Sequence, residues 1–465
     1  MLAGTAVAAN SIASEREGRT WEALQLTGLP PRVIARGKFW AAYTAVGLYI
    51  VMMAPVGAVP FLFGGVTALE TALAFVLLFV VAAVSVAFGL AVSSKMESLR
   101  GAILVTVLVA LMVTPTLFSM MWGASSVAHD AWPLVAEGPI WLPTAYVRAP
   151  FDARYFVALV LAPVMAVGLT MWFLREATLA SLTSVTDDRS TGLRRWFVAT
   201  TASLAAVATV GELSLVQAPG ASLNDALVIA MFSLAGFFLV LTFMAFVAAG
   251  EPIGPSRRVQ RGWVERGTGP VGRALGPGVM RAAGAQLLAG LGGVALIAVS
   301  SALTLRMKTG SREVLAVLLV AFYGACFHVF VVGFGSWLRA RTGTAMTTRL
   351  VLLVGLFLAS VGPWILAALG GSLGHGSSLR DTLIAAPSPF YVVVVSSELT
   401  DLSRDPTPVM IVCAAVAGAW ALLGLGLLGG ASLRCQRVIR EHEKALAEGE
   451  AFLRAEDEAA QAPVA

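Results

Sequence analysis

Charge is scarce in this chain. Asp, Glu, Lys and Arg make up 13% of its 465 residues, against 58% apolar types and a mean hydropathy of +0.82. A soluble domain carries about 25% charged residues, so a large water-soluble core is excluded. Cysteine is scarcer still. Cys326 and Cys413 fall inside apolar runs and Cys435 just after the last one, which provides neither a disulfide framework nor a metal-ligand spacing. The four histidines (His129, His328, His375, His442) are scattered and the apolar runs hold almost no acids. A membrane-embedded enzyme needs carboxylates, histidines or a nucleophile and base on one face, and that pattern is missing. So is a phosphate loop of the G-x-x-x-x-G-K-[ST] kind. The sole Gly-Lys pair, Gly37 and Lys38, follows Val33, Ile34, Ala35 and Arg36, so the chain does not hold ATP in that manner. A net charge of +5 is explained by membrane topology rather than by nucleic acid.

What is present is a series of long apolar runs. Stretches near the roughly 20 residues that cross a bilayer occur at 39–63, 69–92, 101–122, 155–174, 196–216, 225–249, 282–305, 314–337, 349–369 and 408–430. They are too long for barrel strands, and unpaired backbone cannot face lipid. The expected fold is therefore an all-α integral membrane protein with about ten transmembrane helices. Met1 to Ala13 lacks the basic start of a secretion signal and reads as the end of a helix whose beginning lies upstream.

The most polar stretch of the first part runs from Ser11 to Lys38. Its charge density excludes it from hydrocarbon. Ser14 stands three residues before Glu17, the spacing of a capping box, and Trp21, Leu24 and Leu29 form a modest apolar stripe. Gly28, Pro30 and Pro31 should end the first of two short helices. In order, the stretch holds Ser11, Ile12 and Ala13, then Glu15, Arg16 and Glu17, then Thr20, Glu22 and Leu24, then Thr27 and Leu29, and finally Ile34, Gly37 and Lys38. In that order and spacing it resembles the type-2 permeases of ATP-binding-cassette (ABC) exporters, over under a tenth of the chain. The resemblance implies a cytoplasmic coupling helix seated on a separate ATPase subunit, with Glu15, Arg16, Glu17, Thr20, Glu22 and Lys38 as docking and coupling groups rather than catalysts. It also implies that ATP and Mg are bound by that partner, with no cofactor in this chain. A solvated interfacial helix without a partner is the plainer alternative.

With the Ser11 to Lys38 segment on the cytoplasmic side and sides alternating thereafter, 25 of the 32 Lys and Arg residues fall inside. That matches the positive-inside rule for a multi-pass protein of the cell (inner) membrane. Arg306, Lys308 and Arg312 dissent. The C-terminal tail is then cytoplasmic too.

The order of elements also repeats. A span, a charged cytoplasmic segment, three spans, a long outer loop, a last span and a charged end occur from residue 225 onward, and from residue 1 with only a stub for the opening span. The expected organisation is two parallel pseudo-repeats: a first unit at 1–175 containing the coupling segment 11–38, a cytoplasmic linker at 176–195, a second unit at 196–433 and a helical tail at 434–465. The first unit lacks its N-terminal helices. An upstream start, with Met1 internal, is the favoured explanation, and a simply shorter first unit the other.

Three further signals remain. The second charged segment, 251–281, lacks the Glu-Arg-Glu pattern and reads either as a degenerate docking site or as a basic loop on anionic headgroups. His328 lies near the middle of its span, whereas Glu212 lies near an outer end from which it reaches the interface. Intramembrane ionisable groups are functional candidates. Finally, Pro143 with Tyr146, and Pro387 and Pro389 with Phe390 and Tyr391, fall in the outer loops 123–153 and 370–407. In the resembled family short re-entrant helices cap the path there, so these residues and His328 are candidates for the translocation path or outer gate. Gly426 and Gly430 have the spacing of a helix-contact motif. The leading expectation is an exporter permease whose substrate class is open, since apolar spans suit lipids, drugs and peptides alike. An ion-gradient-driven secondary transporter and a non-transporting membrane scaffold are the alternatives.

Overall fold

A computed structural model of the chain describes residues 2–96, 98–111, 114–115, 132, 141–152, 155–184, 186–217, 222–308, 310–369, 383–399 and 407–461. Among these residues there are helices and no strand. Eight helices are long and apolar enough to cross a membrane, or nine if one bent pair counts as a span. The protein is thus an all-helical, multi-pass membrane protein. It divides into two compact units, Met1–Trp196 and Phe197–Ala465.

In the first unit the order is α1 (Leu2–Glu17), α2 (Thr20–Leu26), α3 (Pro31–Met52), α4 (Ala68–Ser93), α5 (Leu99–Leu111), α6 (Leu142–Arg148) and α7 (Phe156–Leu182), which opens with a π-helical turn at Phe156–Leu161. The centre is α4, against which α1, α3, α6 and α7 all pack. Ala82, Val86, Leu90 and Ala91 are among its buried residues. Its start is fixed by a true capping box, in which Thr67 Oγ1 accepts from Glu70 N at 3.3 Å and the Glu70 carboxylate accepts from Thr67 N at 2.6 Å.

The second unit holds most of α8 (Thr191–Gln217), then α9 (Leu223–Ala248), α10 (Arg257–Glu265), α11 (Pro270–Ala274), α12 (Val279–Met307), α13 (Ser311–Arg341), α14 (Ala345–Leu369), α15 (Pro389–Leu399) and α16 (Thr407–Gln461). Here α13 is central, packed by α9, α12, α14, α15 and α16. In its most apolar window 56% of residues are buried, against 17% for α14, so α13 is enclosed by its neighbours while most of α14 is left uncovered by this chain. The partners of α13 follow the chain order of the partners of α4. In both units the helix before the charged segment, the helix after it, a short helix after the outer loop and the last span all pack on the central one.

Three expectations change, one falls partly outside the described residues and one is extended. Residues 39–63 do not form one straight span: α3 stops at Met52 and the chain resumes at Ala54–Leu62 after a 48° bend, because Pro55 and Pro60 remove ladder donors and clash with the preceding turn. The third span, 101–122, is represented by Leu99–Leu111; residues 112–113 and 116–122, most of both outer loops, His129 and His375 lie outside the described residues. Ser14 does not cap a helix. It lies inside α1, where its hydroxyl donates to Asn10 O at 2.5 Å, since a helix already running from Leu2 leaves no terminus there. The linker 176–195 is mostly helix: α7 runs on to Leu182 because Leu179 and Leu182 join a buried cluster, and α8 begins at Thr191. The tail is helical as expected, and it continues the last span without a break as far as Gln461.

Candidate functional site

The charged segment is built around one indole. Trp21, on the short helix α2, is buried with Ile12 of α1, Ile34 and Ala35 of α3, Leu90 of α4 and Leu179 and Leu182 of α7. Two left-handed residues aim α2 at this cluster: Arg19, with φ of 55°, and Gly28, with φ of 70°. Glycine takes that conformation without cost, whereas an arginine there is strained by roughly 1 kcal/mol. Pro30 and Pro31 then start α3 cleanly, as proline in the first helical turn should.

The residues singled out by resemblance sort into two groups. Lys38 of α3 is ion-paired with Glu15 of α1. Arg16 reaches Met96 O at 3.5 Å and lies 5.6 Å from the centre of the Trp21 ring, within cation–π range. Glu17 Oε2 accepts from Leu99 N at 2.8 Å, and Thr20 Oγ1 donates to Glu15 O at 3.2 Å. These five side chains brace α1, α2, α3 and the turn after α4 against one another. Glu22 is instead exposed, together with Arg19 and Leu26, the last at 89%. Sequence reasoning missed a further brace, Ser93. Its buried hydroxyl donates to Ala9 O at 2.6 Å and lies 3.1 and 2.9 Å from Ile12 N and Ala13 N, so it grips the last turns of α1. The adjoining serines at the end of an apolar run, Ser93 and Ser94, were the available signal.

The second charged segment is constructed alike despite its different sequence. Ser256 Oγ accepts from Val259 N at 3.2 Å to start α10, and Trp263 is buried while Arg258, Arg261 and Glu265 are exposed. Arg281 lies 4.8 Å over the Trp263 ring. Each unit therefore carries a short polar helix pinned by a single buried tryptophan under an arginine, between the two helices that flank the charged segment.

At the opposite end of the spans, the short helices after the outer loops seat the proline and aromatic residues. Pro143 is buried in the first turn of α6, and Tyr155 donates to Tyr146 O at 2.9 Å. Burial, and secondarily the Tyr155 phenol, push the Tyr146 phenol above its ordinary pKa. Arg148 of α6 pairs at 3.0 Å with Glu70 at the head of α4. In the second unit Pro389 begins α15, Phe390 is exposed at 57% and Tyr391 is buried against Trp364. Tyr323 of α13 donates to Ala386 O and Pro387 O, both at 2.8 Å, which locks the approach to α15 onto the central helix.

His328 and Glu212 are both buried. His328 Nε2 lies 3.2 Å from Gln286 O, in the seam between α12 and α13. Glu212 does not reach an interface: it is 1% exposed, and Ser300 and Ser301 of α12 donate to its two carboxylate oxygens, Ser301 at 2.8 Å. The sequence signal was present in the Ser300–Ser301 pair, but its register with Glu212 depends on how α8 and α12 meet.

In comparisons with protein-family models, curated proteins and solved structures, nothing matches this chain.

Proposed function

We propose that this protein is the membrane-spanning permease subunit of an ABC exporter, without catalytic residues of its own, driven by a separate ATPase that docks on α2. The observation that carries this reading is the construction of the segment from Ser11 to Lys38. A short helix is pinned from below by Trp21 and braced by the Glu15–Lys38 pair, while Arg19, Glu22 and Leu26 face outward. A lever of that kind transmits a push only if it is rigid with the helices beneath it, and both α1 and α3 are joined to α2 here. The tryptophan-pinned α10 offers a second contact of the same make. ATP and Mg then belong to the partner, and the segment and the tail lie in the cytoplasm, as the distribution of Lys and Arg supports.

The test is co-purification in detergent from cells that express the chain. A separate ATPase is expected to accompany the wild type. Glu22→Arg with Leu26→Glu, on the exposed face, should release it, and Glu15→Ala with Glu17→Ala should release it by loosening the braces. An ATPase retained by both double variants moves the contact elsewhere; none with the wild type removes the reading.

A second reading, ion-driven transport, is favoured by Glu212, a buried carboxyl group in a span held by Ser300 and Ser301. Under it, uptake into vesicles without ATP is expected to persist in the wild type and to be lost in Glu212→Gln. Under the ABC reading that variant transports normally when ATP is supplied.

A further inference from the structure

The geometry points to a binding site in the first unit for one anionic phospholipid, taken from the leaflet on the side of the charged segment. Between α3, α4 and α7 lies a groove of about 850 Å3, within the size range that holds a small ligand, roughly 300–1,000 Å3.

Its walls change character along the spans as a phospholipid does. At the charged end stand Arg32 and Arg36 of α3, one helical turn apart, facing Arg175 of α7. All three are exposed, and Arg175 has the Glu176 carboxylate 3.5 Å away. One turn further into the spans come Trp40 and Trp172, side chains that settle at the headgroup and glycerol level. At the same depth lie Phe39 and Met171, with Ala87 of α4 as apolar wall. A phosphate among guanidinium groups, with the glycerol region and the start of the acyl chains against indoles and apolar side chains one turn deeper, fits that sequence. Arginine suits the first place, since its planar fork binds phosphate in a bidentate way.

The second unit is built differently at the like position. There the last span closes on the central helix. Ala431 and Cys435 of α16 are buried with Val279 of α12 and Ala340 of α13, and Arg434 Nε donates to Ala340 O at 2.9 Å. Leu433–Arg434 and Leu174–Arg175 hold like places at the charged ends of the two last spans. One arginine is used up on the protein's own backbone, whereas the other lines an open groove. Gly37 adds to the opening, because a Cβ built there meets no heavy atom within 4 Å.

The test is native mass spectrometry of the full chain released from mixed micelles containing phosphatidylglycerol or phosphatidylcholine. The wild type is expected to retain one phosphatidylglycerol and to lose phosphatidylcholine. Arg32→Gln, Arg36→Gln and Arg175→Gln combined should lower retention about tenfold or more, in line with the attraction of each Arg near an anionic surface. Gly37→Phe, which keeps all three charges, should lower it as well by filling the groove, and Arg→Lys at the three positions should keep most of it. Helical circular dichroism and a monodisperse elution show that each variant is folded. Equal retention of both lipids, or unchanged retention in the triple variant or in Gly37→Phe, overturns the proposal. So does displacement by inorganic phosphate, which would mark a free-anion site, or loss of a dimer in Gly37→Phe without loss of lipid, which would mark a second copy as the occupant. Loss of the ATPase partner leaves these outcomes unchanged.

Discussion

Leucine at Gly424 is expected to destabilise the second unit strongly, whereas leucine at Gly426, two residues along the same helix, is expected to be tolerated. A Cβ at Gly424 would stand 2.6 Å from Phe330 Cα and N and 2.7 Å from Val329 C. These are backbone atoms of α13, so no rotamer change relieves the clash, and the helices must separate. From the other side, a Cβ at Gly333 would stand 2.1 Å from Gly424 O. Overpacking in a well-packed core costs about 1–3 kcal/mol and occasionally more; with backbone against backbone, a loss of about 3 kcal/mol or more is expected. That corresponds to a fall in melting temperature on the order of 10 °C for a unit of this size. At Gly426 no heavy atom lies within 4 Å, and leucine there gains up to about 1 kcal/mol of helix propensity. Thermal melting of purified Gly424→Leu, Gly333→Leu and Gly426→Leu in one detergent reads the contrast. If the Gly424 and Gly426 variants melt together, α13 and α16 do not meet in this way.

Trp21→Ala is expected to free α2 from the first unit. Truncating a buried tryptophan costs about 3–5 kcal/mol, and the lower end applies to a ring at the rim of its cluster, 9% exposed. The loss also takes the seat of the Arg16 guanidinium. Because α1, α3 and α4 still pack on one another, the damage should be local. Hydrogen exchange should rise across residues 18–30 with little change in α4, and the co-purifying ATPase should be lost. Trp21→Phe keeps the apolar volume and should retain most protection. Trp263→Ala should expose 257–265 in the same way and leave 18–30 untouched. Unchanged exchange at 18–30 in Trp21→Ala would show that something other than the indole holds α2.

The spans were legible because a bilayer imposes a length and a polarity that one chain must satisfy segment by segment. Their order made the repeat visible as well, and the matching partners of α4 and α13 give that order a packing counterpart. Local spacing failed where it depended on what comes before. Ser14 and Glu17 have the distance of a capping box, yet α1 already runs through them; the boxes that form, Thr67 with Glu70 and Ser222 with Asp225, sit where a helix does begin. The glycine motif is half met: a Cβ at Gly430 would lie 3.6 Å from Trp337 of α13, whereas one at Gly426 meets no heavy atom within 4 Å. Gly426 and Gly430 share a face, but α16 turns Gly424 toward α13, and helix rotation is not written in a spacing. Glu212 was placed near water because distance along its span suggested it, whereas the serines of α12 surround it.

The sequence by itself determined that this is a helical membrane protein with a charged segment ahead of its first long apolar run, since hydrophobicity and charge act on each stretch where it stands. Tertiary structure alone decided which charges of that segment turn inward and which face out, that an unlike segment in the second unit is pinned by its own tryptophan, and that a groove lined by arginines stays open in one unit while its counterpart is filled. Each of these depends on which faces of separate helices meet, and that is settled by packing between residues far apart in the chain.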